Sequence, residues 1–79
     1  AKRLLMFRFP ASELFAWGGE PILREGKPVG ELSSVGYSAT LASMVGMGFV
    51  HSEQIEGNYA IEVSGTRVRA QASLKPFAG

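Results

Sequence analysis

Apolar and polar positions alternate with a period of two along most of the chain, the spacing of strands rather than helices. The cleanest case is residues 58–72, NYAIEVSGTRVRAQA. Tyr59, Ile61 and Val63 fall on one face, and Thr66, Val68, Ala70 and Ala72 continue it after Ser64-Gly65. A two-residue turn at Ser64-Gly65 pairs Val63 with Thr66, Ile61 with Val68 and Tyr59 with Ala70. The opposite face then carries Glu62 across from Arg67, with Arg69 beyond. That is a solvated face, and its charge pair is worth only a few tenths, roughly, of a kcal/mol. Arg67, Arg69 and Lys75 could instead attract an anion, though three charges do not decide it.

Residues 2–9, KRLLMFRF, read as a first strand. Leu5, Phe7 and Phe9 share one face; Leu4 and Met6 share the other with Arg8. Both faces are partly apolar. The second is therefore either covered by the following loop or a contact face for a neighbouring domain. Residues 10–19, PASELFAWGG, have no sustained period and hold the only tryptophan. Leu14, Phe15 and Trp17 are too apolar to be left in water, so this loop either plugs one end of a barrel or docks at an interdomain seam.

The chain is organised around residues 28–50, PVGELSSVGYSATLASMVGMGFV. Two apolar, glycine-studded runs, 29–35 and 44–50, flank a polar crossover at 36–43. Residues 21–29 form a hairpin about Glu25-Gly26. It closes either as a two-residue turn pairing Arg24 with Lys27, or as a type I turn with left-handed Gly26 and a bulge. In 29–35, Gly30, Leu32 and Ser34 share one face and Val29, Glu31, Ser33 and Val35 the other; the imperfect alternation predicts a bulge. Ser38 is placed to cap a single helical turn through Ser43. Residues 44–50 are expected to be the most buried strand, with Val45, Met47 and Phe49 on one face. Gly46 and Gly48 alternate with Met44 and Val50 on the other, leaving room for close backbone packing.

The fold class that follows is all-β: a small, distorted, six-stranded antiparallel barrel or jelly roll with at most one short helix. At 79 residues there is room for one domain and one small core. The Ala-Lys-Arg start without methionine and the Pro-Phe-Ala-Gly end suggest that residues 1–79 are a single domain cut from a longer chain, although a processed start would look the same. That this domain is C-terminal is implied only by the resemblance given below.

Composition removes several kinds of chemistry. There is no cysteine, so no disulfide framework and no thiolate nucleophile, a composition compatible with an intracellular protein. Every acid is a glutamate, and the lone His51 has no second histidine, cysteine or aspartate with which to build a zinc site or a triad. A formal charge of +1 implies neither a nucleic-acid stripe nor an acidic tail. No apolar run approaches the roughly 20 residues of a spanning helix, so neither a nucleic-acid nor a membrane partner is expected. Gly46-x-Gly48 lacks the third glycine and following helix of a dinucleotide fingerprint. No residue is thereby marked as catalytic or metal-binding.

Taken in order, several short motifs resemble one known module. They are a hairpin with Gly26, the Val29-Gly30 pair, the Ser33-Ser34 pair, the Gly36-Tyr37-Ser38 turn, Leu41, the close Gly48-Phe49-Val50 and the terminal Pro76-Phe77. The chain resembles the C-terminal β-barrel of the aminomethyltransferase superfamily, typified by the T-protein of the glycine cleavage system. Trp17 followed by Gly-Gly-Glu is similar to the branch fused to dimethylglycine and sarcosine dehydrogenases. Glu25 departs from the usual Asn or Asp, Ala39 from proline and Ala78 from an aromatic.

The resemblance implies an accessory barrel of a folate-dependent, FAD-linked N-methyl amine dehydrogenase or an aminomethyltransferase. It would close the folate-binding assembly without catalysing anything itself. Tetrahydrofolate and FAD are implied for the longer chain and no cofactor for this domain alone. The implied partner is the preceding folate-binding domain of the same chain, the barrel alone being monomeric. Leu14, Phe15, Trp17, Gly36, Tyr37 and Ser38 are the expected interdomain contacts, with Tyr37 at the edge of the folate cavity. The second reading is a structural or regulatory module of a catalytically inactive relative, of the kind found in the regulatory subunit of pyruvate dehydrogenase phosphatase. The implied location is cytoplasmic in a bacterium and the mitochondrial matrix in a eukaryote.

Overall fold

The computed structural model describes residues 2–10, 18–51 and 56–75. They form β1 (Lys2–Pro10), β2 (Pro21–Arg24), β3 (Lys27–Ser38), β4 (Ser43–His51), β5 (Tyr59–Val63) and β6 (Thr66–Ser73). The strands close into a barrel in the order β1-β4-β3-β2-β5-β6, every pairing antiparallel. No helix occurs among the described residues. The all-β, six-stranded barrel expected from the alternation is the fold observed.

The β5–β6 hairpin has the register read from the sequence: Tyr59 opposite Ala70, Ile61 opposite Val68, Val63 opposite Thr66 and Glu62 opposite Arg67. Ser64 and Gly65 both have positive φ, 50° and 80°, the two-residue turn whose twist matches the strands. Toward the hairpin tip the inner face opens, leaving Val68 half-buried and Thr66 exposed. The β2–β3 hairpin also uses the two-residue turn, with Arg24 opposite Lys27 and positive φ at both Glu25 (52°) and Gly26 (81°). The left-handed conformation is held at Glu25 because its carboxylate accepts hydrogen bonds from the Asn58 backbone N–H (3.2 Å) and side-chain amide (3.3 Å). The bulge expected in β3 lies between Leu32 and Ser34, where the register with β4 slips, and a second slip falls between Ile22 and Leu23.

The crossover is shorter than 36–43. Gly36, Tyr37 and Ser38 still belong to β3, opposite Val45, Met44 and Ser43. Only residues 39–42 turn, and the turn is not helical. Ser38 does cap it: its hydroxyl accepts from the Leu41 N–H at 3.3 Å. Ala42, at φ 51°, then reverses the chain before a helix can propagate.

The core holds Leu5, Phe7 and Phe9 from β1, Ile22 from β2, Leu32 from β3, Val50 from β4, Tyr59, Ile61 and Val63 from β5 and Ala70 from β6. Phe7 and Tyr59 meet edge to face across it, centroids 5.5 Å apart. Each large side chain so enclosed contributes roughly 1.5–3 kcal/mol. Strand β4 corrects the expectation of burial on both faces. Its inward face is Met44, Gly46, Gly48 and Val50, opposite the core residues Phe9, Phe7 and Leu5 and, for Val50, Arg3. Met47 and Phe49 point outward and are 36% and 46% exposed.

Glycines occupy that inward face because no side chain fits. A Cβ on Gly48 would stand 2.5 Å from the Glu31 carbonyl oxygen and 2.8 Å from Ile22 Cδ1. One on Gly30 would overlap the Phe49 carbonyl oxygen. Backbone cannot retreat as a flexible side chain can. Replacement Gly48→Ala is therefore expected to cost about 1–3 kcal/mol, the usual cost of overpacking, read as a lower denaturation midpoint. Gly36→Ala is the control: nothing lies within 4 Å of its Cβ position, and stability should stay within about 0.5 kcal/mol of the parent.

Candidate functional site

The expected contact residues divide into two groups. Leu14, Phe15 and Trp17 lie outside the described residues. Gly36, Tyr37 and Ser38 lie at the end of β3. Tyr37 is 60% exposed, the most exposed large apolar side chain among the described residues. Ser38 is engaged with its own turn. Gly36 stands opposite Val45, on the outer side of the barrel.

Among the described residues, grooves open on the surface. The largest of three, about 830 Å³, is lined among others by Arg8, Phe9, Ser43, Asn58, Tyr59 and Arg69. Arg8 is already committed there. Its Nε donates to Ser43 Oγ and its Nη2 to the Leu41 carbonyl, both at 3.2 Å, while the Ser43 hydroxyl donates to that same carbonyl at 3.0 Å. This strap ties β1 to the 39–42 turn and accounts for the burial of Ser43, a polar side chain on the outward side of β4. A second groove, about 360 Å³, lies beside Glu25, Ala60, Arg67 and Arg69. A third, about 440 Å³, is lined by Lys2, Glu31, Phe49 and His51. Tyr37 lines none of these three.

No group of three metal-capable side chains occurs among the described residues. Among the described residues, Glu56 is the one carboxylate that lines the groove of about 830 Å³, and no histidine lines it. Tyr37 presents its hydroxyl at the exposed end of β3.

Tyr59 is the described residue with a perturbed ionisation. Burial pushes its phenol above the ordinary value of 10.0, and the Arg24 guanidinium acts the other way. Its hydroxyl is enclosed without a hydrogen bond of ordinary geometry.

Sequence reasoning gave Leu4 and Met6 as a possible contact face, and the structure extends that face to β4. Leu4 lies opposite Phe49, Met6 opposite Met47 and Arg8 opposite Val45. The result is an outer apolar patch of five side chains, with Leu4 38% exposed. Its β4 half was missed because Met47 and Phe49 look like core. The signal available was the glycine pair on the opposite parity.

A closed six-stranded antiparallel barrel with an apolar outer face defines the class as a small all-β barrel domain. The chain belongs to the glycine cleavage T-protein C-terminal barrel domain family, whose model matches residues 2–78. It is 38% identical over 93 aligned positions to the mitochondrial pyruvate dehydrogenase phosphatase regulatory subunit of Mus musculus. The match covers 95% of this chain and 11% of that relative, so the chain spans about a tenth of the protein it matches.

The state of Tyr59 generates a prediction. A phenol raised on folding favours the folded state fully below the unfolded value, near pH 10, and loses that contribution as pH rises through the higher folded value. Equilibrium unfolding followed from pH 8 to pH 11 should show the loss in the parent and a smaller loss in Tyr59→Phe. At pH 7 the variant should lie within about 1 kcal/mol of the parent, since no well-formed hydrogen bond is removed.

Proposed function

We propose that the chain is a non-catalytic accessory barrel of a longer polypeptide, packed against a preceding folate-binding domain and closing its assembly. The observation that carries this reading is the family match over residues 2–78. The longer chain would be a folate-dependent, FAD-linked N-methyl amine dehydrogenase or an aminomethyltransferase, and tetrahydrofolate and FAD would be held outside this domain. Tyr37 would meet the edge of the folate cavity or seal the seam beside it. The barrel alone would be monomeric and would bind neither nucleic acid nor membrane.

A second reading has its own support. The mouse relative is named a regulatory subunit of pyruvate dehydrogenase phosphatase, and its similarity runs the length of this chain. On that reading the same barrel is a structural or regulatory module in a chain without folate chemistry. That relative's name also favours a mitochondrial location in a eukaryotic source, with the cytoplasm the corresponding place in a bacterium.

Turnover separates the two. Under the first reading, the purified longer chain reduces its flavin with dimethylglycine or sarcosine and passes the one-carbon unit to tetrahydrofolate. Tyr37→Ala should then weaken folate coupling and leave flavin reduction intact. Under the second, neither substrate reduces the chain, and it alters the rate of pyruvate dehydrogenase phosphatase. The barrel expressed alone should turn over neither amine; turnover by the barrel alone would overturn the accessory role in both readings.

A further inference from the structure

We propose that the outer face of β1 and β4 is the seat of another part of the same polypeptide, an apolar surface with carboxylates at its margin. The inference rests on the reading above that the barrel is one domain of a longer chain, and it names the face by which that domain is held.

Leu4, Met6, Val45, Met47 and Phe49 form one contiguous patch, since each residue of β1 lies directly across from its partner on β4. A closed barrel has only one interior, and this patch faces away from it. Basic groups bracket the patch along both strands. At one end Lys2 lies opposite His51, and its Nζ stands 5.0 Å from the centre of the Phe49 ring. At the other end is Arg8, held by Ser43 and the Leu41 carbonyl. The sides are small or polar: Ser34 and Gly36 on β3, Ser73 and Gln71 on β6. Glu31, opposite Phe49, is the one acid in the border among the described residues. An apolar centre with cationic ends suits an occupant that is apolar in the middle and acidic at its edges.

The size of the patch argues for a tethered occupant. Five side chains are far fewer than the roughly 20–30 residues per side of a stable bimolecular interface. A second copy would also bring Lys2 and Arg8 against their own kind. Within one polypeptide the partner is present at an effective concentration in the millimolar range, so a small patch suffices. The topology agrees. β1 supplies half of the patch, and any polypeptide that precedes it joins the barrel at Lys2, beside Phe49. Gly36, from the contact edge expected at the end of β3, borders the same face.

Methionine oxidation by dilute hydrogen peroxide, read residue by residue by mass spectrometry, tests this in the intact longer chain. Met47 lies on the patch and Met44 on the inward face, so the two report separately on docking and on folding. The expected result is that Met47 oxidises about tenfold or more slower than free methionine. The double variant Leu4→Ser, Phe49→Ser should return Met47 to near the free rate, with Met44 as slow as before. Met47 reacting like free methionine in the unsubstituted chain would overturn the proposal. Limited proteolysis then tells which idea failed. If the cleaved barrel still co-migrates with the remainder, the domain is held by another face and only this inference falls. If it separates freely, the accessory reading falls as well. Protection that disappears on dilution together with a sedimenting dimer, or that requires anionic vesicles, would equally overturn the tethered occupant.

Discussion

β3 and β4 approach so closely at Gly30, Gly46 and Gly48 that side chains are excluded between them. The rest of the barrel depends on this contact. Six strands enclose a small cylinder, and Leu5, Phe7, Phe9, Ile22 and Ile61 already fill it. Closure requires part of the wall to add no volume, and β4 is that part. The consequence lies on the other side of the same strand. With side chains alternating, glycines on the inner parity of β4 force Val45, Met47 and Phe49 onto the outer one. The close packing that permits the barrel therefore also creates its apolar outer face.

This explains what could be read from the chain and what could not. Alternation located the β5–β6 hairpin and its register, because one of its faces is clearly apolar and the other charged. In β4 both parities carry apolar residues, and period alone says which residues share a face, not which face is inside. Hydrophobicity pointed to Met47 and Phe49 as buried. The decisive quantity was the volume left inside, which depends on the five other strands. A similar tertiary override acts at Glu25. Its left-handed φ is unfavourable locally and is stabilised by Asn58, which lies 33 residues further along the chain. The helical turn expected after Ser38 kept its cap and lost its helix, because Ser43 is drawn into β4 by the Arg8 strap.

The candidate site was partly legible for the same reason. Leu4 and Met6 announced a second apolar face on β1, since no alternation with polar residues hides them. Whether that face was covered could not be read from β1 alone. The answer lay in which strand paired with it, and β4 is distant in sequence. Tyr37 was singled out as a turn residue. It is instead the penultimate residue of a twelve-residue strand, exposed where β3 has outrun β2. The motifs that carried the family resemblance fare better. Gly30 and Gly48 are positions where backbone meets backbone, and Ser38 closes a turn, so their residue types are demanded by the fold itself.

Fold-determined motifs of this kind identify a module without identifying its task. The family match and the mouse relative agree about the barrel because both measure the packing that closes it. Catalytic and regulatory chains need the same wall. What differs between them must lie where the fold makes no demand, on the outward parities of the strands and on the rims. On the outward parity of β1 and β4, Arg8 has a role inside the domain, fastening the 39–42 turn. Leu4, Met47 and Phe49 do not close the barrel, for they face away from its core. Apolar side chains retained where the fold would accept polar ones are explained by something outside the fold. The outer face of β1 and β4 is thus the part of the barrel where closure leaves the side chain free, and the core is the part whose residue types closure demands.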